Sequence, residues 1–115
     1  MTKIYVAGKN LERAHRVMCM LRDNGHTITF DWLIGIENKF EQNVEKAIQE
    51  LEAIRDCDIL VYLWEEDQES ARYEAGMAMG LGKKIIVSGN HKSFFLLLPG
   101  ISSVSEDNQI LSVLQ

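Results

Sequence analysis

The sequence predicts an α/β domain, a single-domain doubly wound parallel sheet of about five strands, on three observations. Short runs rich in β-branched and aromatic residues alternate with longer runs whose apolar residues recur at helical spacing. One strand-like run, "DILVYLW" at 58–64, is almost wholly apolar, as a central parallel strand covered on both faces must be. A chain of 115 residues can build one core but not a separate lid, so residues 1–115 read as one domain.

Taken in order, "KIYVAG" (3–8) is a buried strand ending in a turn at Gly8, and Asn10 is placed to cap the helix that follows. Leu11, Ala14, Val17, Met18 and Leu21 give that helix one apolar face through Asn24, and Gly25 stops it. "HTITFDW" (26–32) is the second strand and "LIGIENK" a loop. Phe40, Val44, Ala47, Ile48, Leu51 and Ile54 mark a long helix, with Glu41, Glu45, Lys46, Gln49 and Glu52 on its wet side. After the third strand come the acidic loop "EEDQE", the helix "SARYEAGMAMGLG" (70–82) with Ser70 as its cap, and the strand "KKIIVSG" (83–89). "NHKSFFLLLPG" is irregular, "ISSVS" a fifth strand and "EDNQILSVLQ" a closing helix. Right-handed crossovers between such strands give a flavodoxin- or Rossmann-like three-layer sandwich.

Composition narrows the partners. A net charge of −5 with scattered Lys and Arg offers no basic stripe for a run of phosphates, which argues against a nucleic-acid polymer. No apolar run reaches membrane-spanning length, and "MTKIYVAG" enters the first strand without the pattern of a signal peptide, so a cytoplasmic protein is expected. Cys19 and Cys57 have neither the spacing nor the neighbouring histidines of a metal site and read as reduced packing thiols. His15, His26 and His91 lie far apart in sequence. No metal or other cofactor is expected.

In open α/β sheets the ligand crevice lies beyond the carboxyl ends of the strands, where the strand order reverses. The segments there are Gly8-Lys9-Asn10, Asp31-Trp32-Leu33, Leu63-Trp64-Glu65 through Ser70, and Ser88-Gly89-Asn90, which hold most of the unusual polar and aromatic residues. Gly8, Lys9 and Asn10 can present backbone amides and an ammonium to a sugar or a phosphate, or simply open a capped helix. Asp31 and Trp32 can meet a base, Trp32 by stacking, or Trp32 can be a core tryptophan.

Glu74 is the one carboxylate in a helix of small and apolar residues. With Ser70 as cap it falls in the second turn, near unpaired amides and the positive end of the macrodipole, which favour its ionised form. Ala75, Gly76, Met77, Ala78, Met79 and Leu81 suggest a helix buried on nearly every side, where a carboxylate must be paired or used. It complements the helix dipole, or it is aimed at a substrate.

Together "KIYVAG", "LEAIRDCDILVYL" and "YEAGMAMGLGKKIIVSG" resemble the nucleoside 2-deoxyribosyltransferase family and the related deoxynucleoside-monophosphate N-glycosidases. The likeness runs from the first strand to about Pro99-Gly100 and is strongest at Tyr73-Glu74-Ala75-Gly76. It implies that Glu74 is the nucleophile that displaces the base and holds the sugar covalently, and that Tyr5 positions it; by composition Tyr5 is equally a core aromatic. The family's second carboxylate, an aspartate that orients or protonates the base, lies eight residues ahead of the aspartate opening the third strand; here Asp58 opens it and Glu50 matches. On the wheel Glu50 borders the apolar stripe, so a solvated charge remains its other reading. The family's sugar- or phosphate-binding residues before the nucleophile correspond to Gln68 and Ser70.

The resemblance further implies a small nucleoside or nucleoside 5′-monophosphate as substrate, cleavage or transfer at its N-glycosidic bond, and a homodimer or higher even oligomer with shared active sites. The apolar run Phe94-Phe95-Leu96-Leu97-Leu98 independently suggests a subunit contact. The alternatives are a nucleotide-binding module of the same fold without chemistry, and a glycohydrolase that cleaves NAD.

Overall fold

The computed structural model describes residues 2–34 and 44–114. The loop expected at 35–39 and the helical start expected at Phe40 and Glu41 lie outside them. Five strands, β1 (Lys3–Ala7), β2 (Thr27–Ile28), β3 (Ile59–Leu63), β4 (Lys84–Ser88) and β5 (Ile101–Val104), form one sheet. Every pairing is parallel and the order is β2-β1-β3-β4-β5. The order reverses between β1 and β3, which places the crevice at their carboxyl ends.

Helices α1 (Leu11–Asp23), α2 (Val44–Asp56), α3 (Ser70–Gly80) and α4 (Ile110–Val113) cover the two faces. The pleat sorts side chains strictly by parity. Ile4, Val6, Val61, Leu63 and Ile86 pack with Ala14, Val17, Met18 and Leu21 of α1 and Ile110 of α4. Tyr5, Ala7, Leu60, Tyr62, Ile85 and Val87 pack on the opposite face with Ala53 and Ile54 of α2 and Ala71, Ala75 and Ala78 of α3. Tyr5, an odd-numbered residue of β1, therefore faces α2 and α3. The doubly wound parallel sandwich is thus the observed fold, and no helix among the described residues is long and apolar enough to cross a membrane.

The local starts and stops follow the side chains. The Asn10 side chain accepts from the Arg13 amide at 3.0 Å, capping α1, and Gly25 with φ of 86° turns the chain after it. Gly8 ends β1 against Leu63, whose Cβ lies 3.3 Å from where a Cβ on residue 8 would stand. Arg13 reaches across the sheet end: Nε and Nη2 donate to Asp107 at 2.9 and 2.8 Å, Nη1 to the Trp64 carbonyl at 2.8 Å and Nη2 to the Ser88 carbonyl at 3.0 Å. Ser88 Oγ donates to Asp107 at 2.6 Å, closing a network between the ends of β3 and β4 and the turn before α4.

Four expectations need correction. The second strand is two residues long rather than seven, because the chain leaves the sheet after Ile28 and Phe30 and Trp32 pack on the core from a loop. Ser70 is the first residue of α3, not its cap; Glu69 holds the cap position and makes no side-chain cap hydrogen bond. And α3 is buried along one narrow face, Ala71, Glu74, Ala75 and Ala78, while Tyr73 is 69% exposed and Met77 also faces outward. The stretch after β4, expected to be irregular, contains a single 3-10 turn at Phe94–Leu97. Cys57 is buried, Cys19 half-buried, and neither is in a disulfide.

Candidate functional site

Small residues set the geometry. Ala71, Ala75 and Ala78 let α3 lie close to the sheet, and the same helical face carries Glu74, so the carboxyl enters the core beside β1. Tyr5, on the matching face of β1, donates its hydroxyl proton to Glu74 Oε2. The same hydroxyl lies 3.1 Å from Oε1 of Glu50, which α2 brings in from the other side. Two carboxyl groups and one phenol, from three elements, thus meet at a point.

Their electrostatics follow from that meeting. Burial is the largest influence on Glu74 and, with the neighbouring Glu50 carboxyl, pushes its pKa from 4.5 up to about 8, against the opposing effect of the Tyr5 hydrogen bond. This reverses the expected ionised state: Glu74 is the fifth residue of α3, beyond the first-turn amides, and at 7% exposure desolvation outweighs the helix dipole. Tyr5 is pushed far above the ordinary phenol range, first by burial and then by the two carboxyls, and stays protonated. With its value raised to about 8, Glu74 keeps its proton near neutral pH. Two carboxyls joined by one hydroxyl can pass a proton between them, as attack by one with protonation of a leaving group by the other requires.

The cluster opens on a cleft of about 540 Å³, within the usual range for a small-molecule site. Glu50, Glu74, Gly8, Lys9, Trp32, Gln68 and Ser70 line it, so seven of the ten residues singled out in the sequence converge there. Tyr5 reaches it through its two carboxyl partners. Trp32 is held in place by Nε1 donating to the Val6 carbonyl at 2.7 Å, which fixes the ring beside the end of β1.

Asn10 and Asp31 do not line the cleft. The Asn10 side chain is spent on the α1 cap. Asp31 accepts from Arg22 Nη2 at 3.0 Å and from the Leu33 amide at 3.1 Å, bracing the loop that carries Trp32. Gln68 reaches the cleft but is 5% exposed: its amide group donates to the Leu63 carbonyl at 2.9 Å while its oxygen accepts from the Glu65 amide at 3.0 Å. It shapes the loop more than it offers hydrogen bonds to the cleft.

The cleft walls also include Leu11, Ala47, Tyr73 and Met77, which the sequence reading did not assign to a site. Tyr73 and Met77 are one helical turn apart beside Glu74, a spacing that could have marked them, but exposed apolar residues on a helix read first as core. Glu65 was also missed. It sits behind the cleft wall with its carboxylate on the amides of Lys9 and Asn10 at 3.2 and 3.1 Å.

No family model matches the chain, and no curated protein sequence matches it. Among solved structures it is similar to the CMP N-glycosidase BcmB of Clostridium botulinum, with a TM-score of 0.69 and 16% identity over 97% of each chain. It is also similar to the 2-deoxyribosyltransferase of the psychrotolerant bacterium Bacillus psychrosaccharolyticus, with a TM-score of 0.63 and 22% identity over 94% of this chain and 89% of that one. At these identities the likeness is one of fold, and it spans nearly the whole chain. It is the fold implied by the motif resemblance.

Proposed function

We propose that this chain cleaves or transfers at the N-glycosidic bond of a (2′-deoxy)nucleoside or its 5′-monophosphate by double displacement, with Glu74 as nucleophile. The observation that carries the reading is that Glu74 and Glu50, joined by the Tyr5 hydroxyl behind them, line one cleft. The two structurally similar proteins, an N-glycosidase and a deoxyribosyltransferase, agree with it.

In the first step a Glu74 carboxylate oxygen bonds to the anomeric carbon as the carbon–nitrogen bond breaks, and the bond's electron pair leaves with the base. Glu74, protonated at rest, first passes its proton along the shared Tyr5 hydroxyl to Glu50, whose carboxyl then gives it to the departing base. Tyr5 holds Glu74 by hydrogen bonding and, through the same hydroxyl, couples it to Glu50. In the second step water or another base attacks the glycosyl ester, its proton returns to Glu50 and Glu74 is freed as a carboxylate. Trp32 and Tyr73 offer flat apolar surface for the base, and Ser70 a hydroxyl for the sugar.

A homodimer or larger even assembly belongs to the same reading. Phe94 and Phe95 stack at 4.4 Å between centroids and are exposed together with Leu97 and Leu98, an apolar patch suited to a second copy. Sedimentation of the purified chain tests it.

Incubation with nucleosides, 2′-deoxynucleosides, their 5′-monophosphates and NAD, with free base read by chromatography, tests the activity. Release from a nucleoside or its monophosphate, abolished in Glu74→Gln, is expected. Tight binding without release contradicts the chemistry and favours a binding module, and release from NAD alone favours a NAD glycohydrolase.

A further inference from the structure

Open α/β folds commonly seat a ligand's phosphate on the backbone amides of a strand-to-helix turn beside the switch point, where the helix dipole adds to the amides. Here that turn, between β1 and α1, is already filled by an anion belonging to the chain. Glu65 Oε1 accepts from the amides of both Lys9 and Asn10, at 3.2 and 3.1 Å, and Oε2 lies 3.7 Å from Arg13 Nη1. Gln68 Nε2, 3.3 Å from the same Oε1, holds the carboxylate from behind.

Two further donors beside the turn are engaged as well. The Lys9 ammonium donates to the Asp67 carbonyl at 3.0 Å, and Gln68 is spent inside the loop. At the amino end of α3, the neighbouring alternative, Glu69 occupies the cap position. The amino end of α3 thus adds a carboxylate beside the cleft without a cap hydrogen bond, whereas the β1–α1 turn is filled by one. An intramolecular carboxylate competes at high effective concentration, and a phosphate would have to displace it and then approach the remaining acidic run.

We propose that Glu65 closes the β1–α1 turn against the 5′-phosphate, so that the cleft discriminates for a nucleoside over its monophosphate. The inference rests on the nucleoside-site reading and narrows it. It sets this chain apart from the structurally similar enzyme named for CMP, whose substrate carries that phosphate. Discrimination here is by repulsion and prior occupancy, not by an added contact to the favoured substrate.

The test compares the native chain with Glu65→Gln on matched pairs of 2′-deoxynucleoside and 5′-monophosphate, reading free base, and adds the thermal shift each protein shows with inorganic phosphate. Glutamine keeps an acceptor oxygen for the two turn amides while removing the charge. The native chain is expected to favour the nucleoside in kcat/KM by roughly tenfold or more, and the variant to lose about that factor. Phosphate is expected to stabilise the variant and not the native chain. Equal or better use of the monophosphate by the native chain overturns the inference and leaves the glycosidase reading standing, as does an unchanged ratio in the folded variant. If neither protein releases base, the glycosidase reading fails and the phosphate shift decides: stabilisation of the variant alone supports the closed turn, and equal stabilisation of both overturns it. If the variant does not fold, the native chain's own ratio decides.

Discussion

Tyr5 and Glu74, 69 residues apart in the sequence, share a buried hydrogen bond, and Glu50 sits on the other side of the same hydroxyl. One phenol between two carboxyls ties a strand to two helices and fixes how protons are distributed in the cleft. The consequences can be measured separately.

The first concerns stability. Glu74 holds its proton more tightly folded, near pH 8, than unfolded, near 4.5. The folded state therefore gains from this group below the unfolded value and loses that gain as pH rises through the folded one. Glu74→Gln, which never ionises, should be more stable than the native chain above pH 8 by on the order of 2–4 kcal/mol. The difference should shrink toward acid. Thermal melts across pH check this; a variant less stable than the native chain at high pH contradicts the buried-carboxyl assignment.

Tyr5→Phe removes the donor without emptying the core. Because that hydrogen bond lowers the Glu74 value, its loss should raise it further and move the acid limb of the pH–rate profile to higher pH. A fall in kcat of roughly 10- to 100-fold is expected. An unmoved profile at native rate would return Tyr5 to a packing role.

Glu50→Gln removes the neighbouring carboxyl that pushes Glu74 up, so the acid limb should move the other way, to lower pH. It also removes the proton source. The loss in rate should be greatest for bases that leave poorly, about 100-fold, and small for bases that need no protonation. A uniform loss across leaving groups contradicts the acid role.

Arg13 offers a test of stability outside the Glu74–Tyr5–Glu50 cluster. Its side chain is 17% exposed and bidentate to Asp107, whose carboxyl burial pushes up but hydrogen bonds from Arg13 and Ser88 hold below its ordinary value. That contribution is present above the ordinary aspartate value and lost as pH falls through the depressed one. Arg13→Ala should cost about 2–4 kcal/mol in urea unfolding at neutral pH and weaken the acid dependence. A cost below roughly 0.5 kcal/mol would show that the network is an incidental surface pairing.

Much of this was legible in the sequence. The alternation of strand-like and helical runs predicts the parallel sheet, and Glu74, Glu50 and Tyr5 were singled out by motif and now stand in contact. The misreadings have physical causes. Ile28, Phe30 and Trp32 alternate like a strand, but only Thr27 and Ile28 pair, because Trp32 turns its indole to the Val6 carbonyl from a loop. In α3 the small residues face the sheet and the large ones face out, so apolar content overstates burial. Glu65 reads as one charge in a solvated acidic run because its amide partners, 55 and 56 residues away, are adjacent only in the fold. The Glu74 charge state was also beyond the sequence, since it depends first on how deeply the fold buries the carboxyl and then on Tyr5 and Glu50 arriving from other elements.

The central claim is that the Glu74 carboxylate forms a bond to the sugar. Acid-quenching the native chain during turnover of a 2′-deoxynucleoside and mapping it by peptide mass spectrometry tests this most directly. A glycosyl ester on Glu74, absent from Glu74→Gln, which should lose at least about 1,000-fold in rate, is the predicted result. Base release at native rate by Glu74→Gln, or an ester mapped to another residue, would contradict it.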